Sequence, residues 1–267
     1  MELYYRKTGS GKPLIILHGL YGSSDNWLSI GNSLADRFEV YLVDLRNHGR
    51  SPHDQVHTYE AIREDLLGLI DKLGLDKVVL AGHSMGGKAA ICFTQHYPDR
   101  IEKLIVIDIA PKSYKDLYRH EPLNHHDILT AMKNIDMSSA STRRDVDNML
   151  AAKIKSERIR SFLMKNLGRG DNNKYEWKLN LEVLLRELDS IMDGVNKNCF
   201  DTASPVTNIP VLFIRGSKSP YILDEDMEFI KRIFPSAELE TIPDAGHWLH
   251  AEQPVAFTDA FLKFAGH

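Results

Sequence analysis

The segment Val78-Val79-Leu80-Ala81-Gly82-His83-Ser84-Met85-Gly86-Gly87 constrains this chain more than any other. A short β-branched apolar run passes through G-x-S-x-G directly into a stretch of helical periodicity, Lys88 to Tyr97. A strand that turns into a helix this abruptly forces the middle residue into strained backbone geometry, and the flanking glycines remove Cβ atoms that would collide. The Ser84 hydroxyl then stands at the positive end of a helix, where developing negative charge is favoured. Ser84 is therefore the candidate nucleophile, and a serine in this seat excludes chemistry that needs a carboxylate or a thiol there.

The rest of the pattern is α/β. Apolar runs ended by polar or Gly-rich turns predict strands at Leu14 to Leu17, Val40 to Val43, Val78 to Ala81, Leu104 to Ile107, Val211 to Ile214 and Glu238 to Thr241. Leu3 to Arg6, before Gly9-Ser10-Gly11, adds an antiparallel edge strand. Between Ile109 and Val211 the alternation stops, over a length too great for an ordinary crossover loop. Amphipathic helices are expected there at His126 to Asn134, Thr142 to Lys153, Glu157 to Leu167 ended by Gly168, and Leu181 to Met192 between Asn180 and Gly194. The NNKYEW stretch reads as a polar connection. Residues 1–111 and 206–267 should form a mostly parallel sheet flanked by helices, with 112–205 inserted as a helical cap over its carboxyl edge.

A length of 267 residues with 43% hydrophobic content suffices for one such core. The formal charge of -4, without a basic stripe, argues against nucleic acid as a partner. The start of the sequence lacks a secretory pattern and no apolar run reaches bilayer length, so a soluble cytoplasmic protein is expected. Cys92 and Cys199, far apart and outside any ligand spacing, read as inert fillers rather than a disulfide framework. No metal or cofactor is implied.

A serine nucleophile that attacks a carbonyl needs two backbone N–H donors for the resulting oxyanion. Met85 supplies one, and Leu20, in Leu17-His18-Gly19-Leu20-Tyr21-Gly22, is expected to supply the other. The general base should follow the last strand, where Ile242-Pro243-Asp244-Ala245-Gly246-His247-Trp248 offers His247, with His250 as a structural neighbour. His83 flanks the nucleophile as a packing or pocket residue.

The acid is displaced from its common position. The loop after the Val211 to Ile214 strand reads Arg215-Gly216-Ser217-Lys218-Ser219-Pro220, with Ser219 where a carboxylate would be expected. A hydroxyl cannot stabilise an imidazolium. Asp108, at the end of the strand after the elbow, is one strand nearer the nucleophile and still within reach of a histidine loop, given strands about 4.8 Å apart. We assign it as the acid, with Asp224 as its rival. Asp44 also ends a strand, but its order is wrong, and it should pin its own turn through Arg46 or backbone amides.

Taken together, His18-Gly19-Leu20-Tyr21-Gly22-Ser23-Ser24-Asp25-Asn26, Val43-Asp44-Leu45-Arg46-Asn47-His48-Gly49-Arg50-Ser51, Gly82-His83-Ser84-Met85-Gly86-Gly87-Lys88, Ile107-Asp108-Ile109-Ala110-Pro111 and Ala245-Gly246-His247-Trp248 resemble the YbfF-type esterases of the α/β-hydrolase fold. The resemblance covers the core and is weakest in the cap. It implies a triad of Ser84, Asp108 and His247 with Ser219 near the histidine, and a small-molecule ester or acyl-CoA thioester substrate. Tyr114, Tyr118, His83 and Lys88 are the candidate pocket residues, and Lys88, Lys112 and Lys115 could attract an anionic leaving group. A carbon-carbon hydrolase or lyase with the same triad, and a ligand receptor that retains it, are the alternative functions; the oligomeric state is left open.

Overall fold

A computed structural model describes residues 1–119, 124–170, 173–193, 199 and 202–266. The strands are β1 (Tyr5–Thr8), β2 (Lys12–Leu17), β3 (Phe38–Val43), β4 (Val78–His83), β5 (Ile101–Ile107), β6 (Leu167–Arg169), β7 (Tyr175–Trp177), β8 (Val211–Gly216) and β9 (Ala237–Ile242). Seven of them form one sheet in the order β1-β3-β2-β4-β5-β8-β9. Only β1 runs antiparallel, against β3, and it begins two residues later than the sequence suggests, at Tyr5 rather than Leu3. The other neighbours are parallel, so their carboxyl ends lie along one edge of the sheet. Register then aligns the chemistry: His83 pairs with Ile107 and Ile107 with Ile214, so the residues that follow β4, β5 and β8 leave the sheet side by side.

Both faces of the sheet are covered, which is why the central strands are apolar throughout instead of alternating. The helix after the elbow, Met85–His96, is buried from Met85 through Thr94 on all sides, as expected of a helix packed between the sheet and other elements.

The segment between β5 and β8 is mainly helical. Its helices His125–Lys133, Arg143–Ala151, Glu157–Leu163 and Leu181–Arg186 are capped by the side chains of Asn124, Thr142, Ser156 and Asn180 respectively. The structure departs from the sequence expectation in two places here. The helix from Glu157 ends at Leu163, not Leu167, and gives way to a 3₁₀ turn at Met164–Asn166 and then to β6. The stretch read as a polar connection contains β7, which pairs antiparallel with β6. Tyr175 and Trp177 are strand-forming residues whose preference is realised once a partner strand is present. The last expected helix is divided at Glu187 into Leu181–Arg186 and Leu188–Asp193, and Gly194, its expected stop, lies outside the described residues. Among the described residues, no helix is long and apolar enough to cross a membrane.

Cys92 and Cys199 correct a further expectation: they form a disulfide across a sequence separation of 107, with Cα atoms 4.4 Å apart. Sequence distance carried no information about this approach, because the fold alone brings Cys199 to the elbow helix that carries Cys92. Closing so long a loop restricts the unfolded chain strongly, and removing such a bridge typically costs about 2–5 kcal/mol. Cys92→Ala should therefore lower Tm by roughly 5–15 °C. Thiol titration of the unfolded, unreduced wild-type protein should find no free cysteine; two free thiols in the wild type, together with an unchanged Tm for Cys92→Ala, would refute the pairing.

Candidate active site

The elbow shows why the sequence needs its glycines. Ser84 sits at φ 53°, ψ −120°, a left-handed conformation rare for a residue with a side chain. A Cβ on Gly82 would lie 2.2 Å from the Gly86 carbonyl oxygen, and one on Gly86 would lie 2.5 Å from that of His18. Neither position tolerates any other residue without displacing backbone. The Ser84 amide donates to the Ile107 carbonyl (3.0 Å), which locks the elbow to the end of β5.

The loop after β2 is tied down from two directions. His18 Nδ1 lies 2.8 Å from the Gly19 carbonyl oxygen, while Nε2 accepts from the Leu45 amide at 3.0 Å, so the ring is held neutral with its proton on Nδ1. Burial lowers its pKa in agreement with this role. From the helical segment, Asn166 Nδ2 donates to the Tyr21 carbonyl (2.7 Å). Among the described residues, neither the Leu20 nor the Met85 amide donates a hydrogen bond, and both residues line the cavity that contains Ser84. Met85 is the first residue of its helix, so its N–H has no partner within the helix.

Asp108 is fully buried at the end of β5, at φ 50°, another strained position. Its Oδ1 accepts from the Gly216 amide (3.1 Å), and its Oδ2 accepts from the Ser219 hydroxyl and from His247 Nδ1 (2.7 Å). Ser219 thus occupies the common acid seat after β8 and turns its hydroxyl to the carboxylate instead of to the imidazole. A carboxylate that accepts from Nδ1–H leaves Nε2 with its lone pair. The histidine is held on three sides. Its ring stacks on Tyr221 (centroids 3.8 Å apart, planes at 14°), its carbonyl accepts from His83 Nε2 (2.8 Å), and Asp108 holds Nδ1.

The structure gives the other expected residues definite places. His83, buried, ties the histidine loop to the elbow, and its pKa is pushed well below the usual value by burial, then by His247 and His250. Asp224 is exposed and pairs with Arg215 at 2.7 Å, whereas His247 Nδ1 is engaged by Asp108. Asp44 pins its turn through the amides of Ser24 (2.5 Å) and Arg50 (2.8 Å), but not through Arg46, whose guanidinium pairs with buried Asp65. Lys112 and Lys115 do not stand free for a leaving group: they pair with Asp226 and Asp193 at 2.6 and 2.7 Å. Tyr118 belongs to the helix Lys115–Arg119, and its side chain lies outside the described residues. His250 is buried and stacked on Trp27 at 4.1 Å, and burial lowers its pKa to about 3.

Tyr221 was not legible as a site residue. Nothing in Pro220-Tyr221-Ile222 marks the ring that will face an imidazole, and its position is fixed by Tyr114, whose hydroxyl donates to the Tyr221 carbonyl (2.6 Å) and accepts from the Ala110 amide (2.7 Å). Tyr114 therefore supports the histidine's platform besides lining the cavity.

Ser84, His247, Leu20, Met85, His83, Lys88 and Tyr114 all border one cavity of about 220 Å³ beneath the helical segment. The Ser84 hydroxyl has no hydrogen-bond partner among the described residues. The arrangement gathers around one cavity a half-buried hydroxyl at a strained elbow, an imidazole with a free Nε2, and two residues whose amides donate to no other described group, which is the equipment of acyl transfer. Among the described residues, no group of His, Cys, Asp or Glu side chains could hold a metal ion.

Comparison with known proteins bears on the fold and the family. Residues 12–254 match the family model described as alpha/beta hydrolase fold. The chain is 38% identical over 262 residues to the sn-1-specific diacylglycerol lipase ABHD11 of Danio rerio, covering 96% of this chain and 79% of that protein. It is 35% identical over 255 residues to Esterase YbfF of Escherichia coli strain K12, covering 96% and 93%. A solved structure titled "Marine microorganism esterase" is similar at 48% identity and a TM-score of 0.92, over 99% of both chains. With the strand order, the elbow and these relatives in agreement, the chain belongs to the α/β-hydrolase family and, within it, to the YbfF-type esterases.

Proposed function

We propose that the protein hydrolyses short- to medium-chain acyl esters through an acyl-enzyme on Ser84, with His247 as general base and acid and Asp108 as the carboxylate behind it. The observation that carries this reading is the 2.7 Å contact of Asp108 with His247 Nδ1, at the wall of the cavity that Ser84 also lines. Nε2 takes the Ser84 proton as the hydroxyl attacks the carbonyl, and the imidazolium is stabilised by Asp108. The Leu20 and Met85 amides receive the oxyanion, each worth about a hundredfold or more in rate. His247 then returns the proton to the leaving alkoxide, and a water, deprotonated at the same nitrogen, releases the acid.

The helical segment between β5 and β8 serves in this reading as a cap that closes the acyl site. A cavity of about 220 Å³ lies below the roughly 300–1,000 Å³ of sites for drug-sized ligands, which supports a short acyl group over a long lipid chain. The chemistry extends to acyl-CoA thioesters, but Lys112 and Lys115 are already paired, so no preference for CoA is expected from them.

The test is kcat/KM along an acyl series presented as p-nitrophenyl esters and as CoA thioesters. A burst of p-nitrophenol followed by steady turnover, with a maximum at short to medium chains, is expected. Covalent capture without turnover would turn the reading toward a receptor, and rising activity into long chains would overturn the acyl-length assignment.

A further inference from the structure

Lys88 is a cation in a place that ordinarily excludes one. It is 2% exposed, and a buried ammonium is costly unless charges or hydrogen bonds compensate it. Its Nζ donates to the carbonyl oxygens of Met192 (3.0 Å) and Ile191 (3.4 Å) and lies 4.7 Å from the centre of the Tyr114 ring. An ammonium has three donors and these carbonyls take two. Among the described residues, no carboxylate stands within 4.0 Å of it; Asp193, the nearest charge to act on it, is engaged by Lys115. Lys88 lies in the first turn of the helix that Ser84 precedes, and its amide donates to the Ser84 carbonyl (3.1 Å). Both residues border the cavity, Ser84 at the strained position before the helix and Lys88 in the helix's first turn.

We propose that Lys88 determines specificity for an anionic substrate by receiving a carboxylate inside the acyl cavity, so that the preferred substrate is an ester carrying a carboxylate a few bonds from the scissile carbonyl. This rests on the esterase reading above and names the substrate class for it. A short monoester of a dicarboxylic acid meets the geometry: its ester carbonyl faces Ser84, and its free carboxylate extends along the elbow helix to the unused ammonium donor. Burial explains how the site tolerates the cation when empty, since it pulls the Lys88 pKa down to about 7, with Asp193 opposing. The other titratable groups around it are Tyr59 and Tyr114 beside the ammonium and Tyr21, His83, His125, Tyr221, His247 and His250 around the cavity. Burial lowers the pKa of His83, of His125 to about 4 and of His250 to about 3, so these three stay neutral from pH 6 to 8.5, while His247 enters the rate of both esters as the general base.

The experiment compares mono-p-nitrophenyl glutarate with p-nitrophenyl butyrate, and with 4-carboxyphenyl butyrate as the arm that places the carboxylate on the leaving group. Wild type should favour the glutarate monoester over butyrate, and Lys88→Met should lower that ratio of kcat/KM by about 10- to 100-fold, the range expected for a hydrogen bond to a charged group. Lys88 also clasps the elbow helix to Leu188–Asp193, and loss of the clasp alone would reduce both substrates in parallel and leave the ratio unchanged, which overturns the proposal. A preference for 4-carboxyphenyl butyrate in place of the glutarate ester overturns the acyl-side assignment.

Wild type supplies a readout that needs no variant. The free ammonium is charged below its pKa, and kcat/KM reports the free enzyme, so the glutarate-to-butyrate ratio should be high at pH 6 and fall as pH rises through about 7. A ratio flat from pH 6 to 8.5 overturns the proposal. Absence of turnover on butyrate at every pH would instead strike the esterase reading.

Discussion

Asp108→Asn should lower kcat by up to about 10⁴, while Asp224→Asn leaves it nearly unchanged. The asymmetry follows from what each carboxylate touches. Asp108 is fully buried and accepts from the Gly216 amide, the Ser219 hydroxyl and His247 Nδ1. Asparagine retains the shape but has one acceptor oxygen for the Gly216 and Ser219 donors, and its amide N–H₂ faces the imidazole. The ring is then driven to the tautomer that carries its proton on Nε2, where it can no longer accept from Ser84. Asp224 is exposed and its pair with Arg215 is a surface contact, worth about 0–1 kcal/mol. Steady-state kinetics on p-nitrophenyl butyrate, with circular dichroism to confirm that both variants fold, decides the matter. Equal activities, or a larger loss in Asp224→Asn, would move the acid to the loop after β8.

Ser84→Gly should abolish turnover, by about 10⁶ in kcat, and at the same time make the protein more stable by about 1 kcal/mol. Ser84 holds φ 53°, ψ −120° because the turn between β4 and its helix leaves no other path, and a side chain in such a region costs about 1–3 kcal/mol. Glycine relieves that crowding, at the expense of some unfolded-state entropy. Ser84→Ala removes the hydroxyl but keeps the Cβ, so it should lose the same activity without the gain. Urea unfolding at constant m, or a Tm rise of roughly 2–4 °C for glycine alone, tests the strain directly. Equal stability of the two variants would mean that the elbow is relaxed.

Much of the site was legible because its signals are local. G-x-S-x-G announces a turn whose sterics are settled within ten residues, and the glycines of the elbow meet the Gly86 and His18 carbonyls at distances that exclude any Cβ. His247 follows the last strand and Asp108 ends the one after the elbow, so order along the chain sufficed to nominate both. What the sequence could not convey was partnership. Ser219 reads as a missing acid, whereas in space its hydroxyl donates to the Asp108 carboxylate at the end of β5. Arg46 lies two residues from Asp44 yet chooses Asp65, and Lys112 and Lys115, which look available, are each held by a carboxylate many residues away. The hairpin β6-β7 escaped because short polar strands declare themselves only when paired.

By itself, then, the sequence determined the elbow, the α/β alternation that builds a parallel sheet, and the order in which Ser84, Asp108 and His247 follow β4, β5 and β9. These depend on backbone sterics and on hydrophobic period, which act over a few residues. The tertiary structure alone decided that Cys92 meets Cys199, that the Tyr221 ring stacks on His247, and that Lys88 lies buried beside the cavity Ser84 lines, donating to the Met192 carbonyl. Those depend on which distant segments the sheet and its helical segment bring into contact. Side-chain hydrogen bonds and ion pairs act over only a few ångströms, and the fold sets those distances without regard to separation along the chain.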